Sequence, residues 1–147
     1  MKKILNIIYQ SYLIRDIVLL ALRLVLAYGF FNPALMKIKD INSISDWFES
    51  INIPLPILNA YLATGTEVFG VIFLTLGLFT RWVSIPLMIT IMVAIVTVHI
   101  GNGFEAGENG FEIPLYYILM LLTLFTFGAG KYCLDQVLKL KRNEKIV

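Results

Sequence analysis

Apolar residues dominate four stretches of this chain, and polar residues collect between them. Residues 17–36, 57–79, 82–100 and 113–129 each run about 17–23 positions with few interruptions, the length a helix needs to cross a hydrocarbon core of about 30 Å. This pattern predicts an all-α fold: a four-helix transmembrane bundle. Ahead of it, residues 1–16 begin with Lys2 and Lys3 and are interrupted at Arg15 and Asp16, with no small-residue cleavage site. An N-terminal interfacial helix is expected there, attached to a single membrane domain of residues 1–147.

The connections differ in kind. Between the first two spans, Ile41, Ile44, Trp47 or Phe48, and Ile51 recur at helical spacing behind the capping candidates Asn42 and Ser43. A short outer-surface helix is predicted, closed by Pro54 and Pro56. The turn at Thr80 and Arg81 is short enough to make spans two and three antiparallel neighbours. In the third connection Asn-Gly-Phe-Glu occurs at 102–105 and again at 109–112, two glycine turns each followed by an aromatic and a carboxylate. Gly128-Ala129-Gly130-Lys131 lacks the spacing of a phosphate loop and reads as a helix stop, with a basic cytoplasmic C-terminal tail at 131–147.

Composition agrees with the pattern: 59% of residues are hydrophobic and the mean hydropathy is +0.81, beyond a soluble domain of this size. The lipid bilayer is therefore the first partner, and helix-to-helix contact must supply most of the burial. The net charge of +2 is small and its basic residues sit near the chain ends, which gives nucleic-acid binding no support. Lys2, Lys3, Arg15, Arg81, Lys131, Lys139, Lys141, Arg142 and Lys145 fall on one side of the predicted spans. Lys37 and Lys39 fall on the other, offset by Asp40, Asp46 and Glu49. The asymmetry predicts a multi-pass protein of the cytoplasmic membrane with both termini cytoplasmic.

Two charges lie within spans. Arg23 sits about six residues into the first, roughly 9 Å deep, and Glu67 near the middle of the second. A charge at the bilayer centre costs about 2.5–3.5 kcal/mol on insertion scales, so a mutual pair is expected. The pair is either a structural salt bridge or a catalytic site for a ligand, proton or electron transfer. Ala63, Thr64, Gly65, Thr66 and Gly70 around Glu67, and Gly29 on the first span, leave room for a backbone or a planar cofactor to approach.

His99 is the sole histidine, at the outer end of the third span. It either caps that helix end, hydrogen-bonds a quinone carbonyl, or holds a metal together with Glu105, Glu108 or Glu112. One histidine and one cysteine, Cys133, cannot build a bis-histidine haem, a structural zinc site or a thiol relay. Redox chemistry would then need a bound cofactor or a partner protein.

The order and spacing of several landmarks resemble the DoxX family over residues 19–135: Leu22-Arg23-Leu24 with Gly29 and Lys37, Glu67 with Gly70, Leu76 through Arg81, and Gly128-Ala129-Gly130 with Leu134-Asp135. The resemblance implies a four-span membrane protein related to the DoxD-like subunits of thiosulfate:quinone oxidoreductases. Residues 28–37 and 107–117 further resemble DoxX-like proteins encoded beside maturation enzymes for copper-binding ribosomal peptides. Implied is a quinone-linked redox subunit, or an accessory component of a membrane oxidoreductase system with a soluble or membrane partner, in which Arg23, Glu67, Gly29 and His99 would contact the quinone. A non-catalytic scaffold, or a metal- or peptide-handling component using the basic tail and the acidic outer loop, is the competing reading. A small-solute permease would require a homo-oligomer, since four spans leave little room for a pathway.

Overall fold

A computed structural model describes residues 2–138, with side chains from residue 12 onward. Within them the regular structure is entirely helical, as the apolar periodicity predicts. Helix α1 (Lys2–Lys39) is followed by α2 (Ile41–Ser50), α3 (Pro56–Leu76) and α4 (Thr80–Ala94). Beyond α4 the chain continues through a π-turn at Ile95–His99 and 3-10 turns at Ile100–Asn102 and Ala106–Glu108 before α5 (Glu112–Phe127). The basic tail is described only as far as residue 138; Lys139, Lys141, Arg142 and Lys145 lie outside the described residues.

The first helix departs from expectation. No break at Arg15 and Asp16 separates an interfacial segment from a span, and α1 is one helix of 38 residues with Pro33 inside it. At 1.5 Å per residue that is about 57 Å, well beyond a hydrocarbon core of about 30 Å. Neither Arg15 nor Asp16 breaks a helix intrinsically; their charges instead meet partners, Arg15 Nη2 lying 3.2 Å from Asp16 Oδ1.

The other boundaries follow local chemistry. The N-cap of α2 is Asp40, not Asn42 or Ser43: its carboxylate accepts the Ser43 amide at 3.0 Å and the Ser43 hydroxyl at 2.6 Å. Helix α2 stops at Ser50, before Pro54, and Pro56 opens α3 at the position where a missing amide hydrogen costs nothing. Gly77 ends α3 in the left-handed region at φ +69°, with its amide and that of Leu78 both returning to the Phe73 carbonyl. Thr80 and Arg81, expected in the turn, already belong to α4. The turn itself is Gly77–Phe79, and Asp135 Oδ2 accepts the Phe79 amide at 2.9 Å to secure it.

Helices α1, α3, α4 and α5 close a ring, each touching the next, and α2 lies against α3. Leu19, Leu26, Phe30, Leu74, Leu87 and Leu121 meet at the centre. Gly70 makes the α3–α4 approach close, because a Cβ there would lie 2.8 Å from Leu87 Cδ2. Two helices, Pro56–Leu76 and Thr80–Asn102, are long and apolar enough to cross a membrane, and α5 is a shorter apolar helix. Only 28% and 17% of the most apolar stretch in the first two is buried against protein, so most of their apolar surface faces outward. A soluble core helix would hide that surface; these two leave it outward, as helices in contact with lipid do.

Candidate functional site

The expected Arg23–Glu67 pair does not form. Arg23 is fully buried, and its Nη2 donates to the Tyr132 carbonyl beyond the end of α5. Glu67, 4% exposed, instead meets Lys37, with Nζ 2.5 Å from Oε1. Helix direction explains both. Every Cα–Cβ bond tilts toward its own helix N-terminus, so on α1 both cations lean toward the end that carries Arg15. Arg23, already near that end, leans out of reach. Lys37 starts about 21 Å further along α1 and leans inward, while Glu67 on the antiparallel α3 leans toward it.

The two cations, Arg23 buried and Lys37 partly so, therefore occupy separate sites. Around Arg23 the packing is closed: a Cβ on Gly77 would lie against Arg23 Nη1 and 2.5 Å from Cys133 Cβ. Arg23 Nε and Nη1 have no hydrogen-bond partner among the described residues. At the Lys37 site one carboxylate oxygen is bound, and the other, Glu67 Oε2, is buried without a partner. That orphan acceptor is the part of the pair able to receive a hydroxyl or a proton.

Gly29 does not hold a cofactor space open. The Tyr117 ring fills it, with the hydroxyl oxygen where a Cβ would be, and the same ring packs edge-on against Phe30. Gly65, by contrast, faces open space and a cleft of about 540 Å³ on the outer wall between α3 and α4. Tyr61, Phe69, Phe73, Phe79 and Trp82 line this cleft. Two positions from Glu67 along α3, Gly65 projects about 200° around the helix, so the cleft and the Lys37–Glu67 pair occupy opposite faces.

His99 lies at the far end of the bundle. Its Nδ1 donates to the Asn109 carbonyl at 2.8 Å, which ties the end of the third span to the loop. The duplicated Asn-Gly-Phe-Glu copies pair with each other: the Phe111 amide donates to the Gly103 carbonyl, and the Glu112 amide to that of Phe104. The Phe104 and Phe111 rings pack edge to face, their centroids 5.5 Å apart. Gly110 fits because a Cβ there would meet the Gly103 carbonyl at 2.5 Å. Glu112 is committed within the loop, accepting the Ala106 amide and the Tyr116 hydroxyl. Among the described residues His99, Glu105, Glu108 and Glu112 do not gather into a metal-holding cluster.

Sequence reading overlooked Lys37 as a partner because it stands one residue beyond the predicted span. The usable signal was direction: a lysine just past the C-terminal end of a span leans back into it.

The profile of the DoxX family matches residues 18–100. Two uncharacterized proteins of Haemophilus influenzae are similar to the chain. One is 36% identical over 129 residues, covering 82% of this chain and 83% of the relative. The other is 31% identical over 118 residues, covering 78% and 85%. No solved structure matches the chain significantly.

Proposed function

The chain belongs to the DoxX family, and from that premise we propose that it is a multi-pass subunit of the cytoplasmic membrane serving a quinone-linked redox system. In this reading α1, α3, the Thr80–Asn102 helix and α5 all span the bilayer, and both termini are cytoplasmic. The observation that carries it is the part-buried Lys37–Glu67 pair, with a carboxylate oxygen that has no partner among the described residues. Ionisable side chains inside a membrane bundle are costly and mark sites of proton or ligand handling. A quinol hydroxyl is a hydrogen-bond donor that arrives through lipid, and Glu67 Oε2 is an acceptor with none.

A quinone would supply the two-electron, two-proton chemistry that no side chain of this chain offers. The protein's part is narrower. Lys37 holds Oε1 and offsets the cost of a buried carboxylate, while Oε2 orients one hydroxyl and takes its proton, the second hydroxyl giving its proton to water. Electrons leave to a soluble or membrane redox partner. Arg23, walled in by Gly77 and Tyr132, serves the packing of the basic end rather than the chemistry.

The test is retention of quinol through purification in mild detergent under reducing conditions. Native protein is expected to keep it. Glu67→Gln replaces the accepting oxygen with a donating amide and is expected to lose at least about tenfold, equivalent to 1.4 kcal/mol. Equal retention by a folded Glu67→Gln protein, or none by the native chain, would overturn the reading.

A second reading, a non-catalytic scaffold supporting copper-peptide maturation, draws on the self-paired loop between His99 and Glu112. Its internal hydrogen bonds and edge-to-face rings present a pre-ordered surface with Phe104 half exposed. Binding of a maturation enzyme or its peptide that fails with Phe104→Ala would favour it.

A further inference from the structure

The cleft on the outer wall does not end in lipid-facing side chains. At Phe79 and Trp82, which line both, it adjoins a second cavity of about 580 Å³ at the basic end of the bundle. The two halves have opposite character. The first is walled by aromatic rings; the second by Arg15, Arg81 and Lys131 together with Asp16 and Asp135.

Three cations against two carboxylates leave this second cavity with one positive charge. The carboxylates are partly committed, Asp135 to the Phe79 amide and Asp16 Oδ1 to Arg15. Two polar atoms of the wall residues, Asp16 Oδ2 and Thr80 Oγ1, have no hydrogen-bond partner among the described residues, although Lys131 Nζ stands 4.0 Å from Asp16 Oδ2. Asp16 is fully buried and Thr80 is 2% exposed; Arg15 and Lys131 offset the cost of the buried carboxylate, while the Thr80 hydroxyl carries its desolvation without return. Thr80 can donate a hydrogen bond; Asp16 Oδ2 can accept one.

From Tyr61 to Phe73 the aromatic cleft follows α3 for roughly 18 Å, about the depth of one bilayer leaflet. We propose that the adjoining cavities bind one anionic phospholipid of the phosphatidylglycerol type. An acyl chain lies along the Tyr61–Phe73 cleft past Gly65, and the phosphodiester sits among Arg15, Arg81, Lys131 and the Thr80 hydroxyl. The single negative charge of a phosphodiester matches the cavity's single positive charge. Trp82, at the junction of the two cavities, stands where ester and headgroup would meet, the level at which tryptophan favours a membrane interface. This site lies on the other face of α3 from Glu67 and does not depend on the quinone reading.

Native mass spectrometry of the full chain from mild detergent tests it, with phosphatidylglycerol, phosphatidylcholine and glycerol 1-phosphate as probes. One phosphatidylglycerol should be retained over phosphatidylcholine by at least about tenfold, or 1.4 kcal/mol. Arg81→Gln with Lys131→Gln, which leaves Arg15 on Asp16, should abolish that preference. Thr80→Val should weaken phosphatidylglycerol several-fold without loss of fold, since it removes an orphaned hydroxyl. Gly65→Leu should weaken binding by filling the cleft, where its Cβ meets nothing within 4 Å. Equal retention of the two lipids by the native chain would overturn the proposal, as would unchanged binding to Gly65→Leu. Competition by glycerol 1-phosphate as effective as that by the lipid would also overturn it, by showing a soluble-anion site.

Discussion

Arg23 and Lys37 lie on one helix, both are shielded from solvent, and both lean toward the same end, yet they meet different partners. Arg23 reaches a main-chain carbonyl, that of Tyr132, and fills its surroundings so completely that Gly77 has no room for a methyl group. Lys37 reaches a carboxylate whose second oxygen is left free. The difference lies in what the neighbouring helices offer at each depth. Near the basic end, the chain leaving α5 brings backbone carbonyls; halfway along α3 only the Glu67 side chain offers an acceptor. A cation of the same helix is thus a packing element in one place and half of an ion pair with a spare acceptor in the other.

The comparison breaks most visibly at Lys37. Lys37→Ala strands the Glu67 carboxylate and is expected to cost about 3–5 kcal/mol, whereas Lys37→Met with Glu67→Leu should cost far less, because no charge is left unpaired. Unfolding by SDS titration in mixed micelles checks this; equal costs would mean that the pair is not coupled. Gly77→Ala comes next, at about 2–4 kcal/mol from overpacking against Arg23 and from a left-handed φ. In an Arg23→Ala background the overpacking part should shrink to the contact with Cys133 Cβ, and an unchanged cost would show that Arg23 is not an obstacle.

Gly29→Ala is expected to cost about 1–3 kcal/mol by displacing the Tyr117 ring, and Tyr117→Leu should relieve part of that cost. The smallest effect belongs to Asp40, outside both buried sites. Its hydrogen bonds from Ser43 hold the carboxyl below the usual carboxylate range. A lowered folded pKa gives stability that is present above the ordinary aspartate value of about 3.9 and is lost as pH falls through the folded value. Fraying of α2 below about pH 4, followed by Trp47 fluorescence and absent in Asp40→Asn, checks the sign.

Much of the fold was legible along the chain. Apolar run length located α3, α4 and α5 to within a few residues, because helix length and lipid exposure are properties of local composition. Proline and glycine marked real ends at Pro56 and Gly77. The break expected after residue 16 was misread, since a charge inside a helix signals an end only if nothing nearby can pair with it, and Asp16 has Arg15. The duplicated Asn-Gly-Phe-Glu was visible as two turns, but not as two strands of contact closing on each other.

The candidate site was half legible. Glu67 stood out alone, because a carboxylate in an apolar helix needs a partner wherever it folds. Its partner was misassigned to Arg23 through depth alone, and Gly29 was assigned to a cofactor when it accommodates Tyr117. The sequence by itself determined that the chain is helical, largely lipid-covered and required to satisfy a few buried charges, since these follow from the solvation of each side chain. Only the tertiary structure decided which charge meets which, because partner choice depends on helix direction, rotation and the neighbours that arrive from distant parts of the chain.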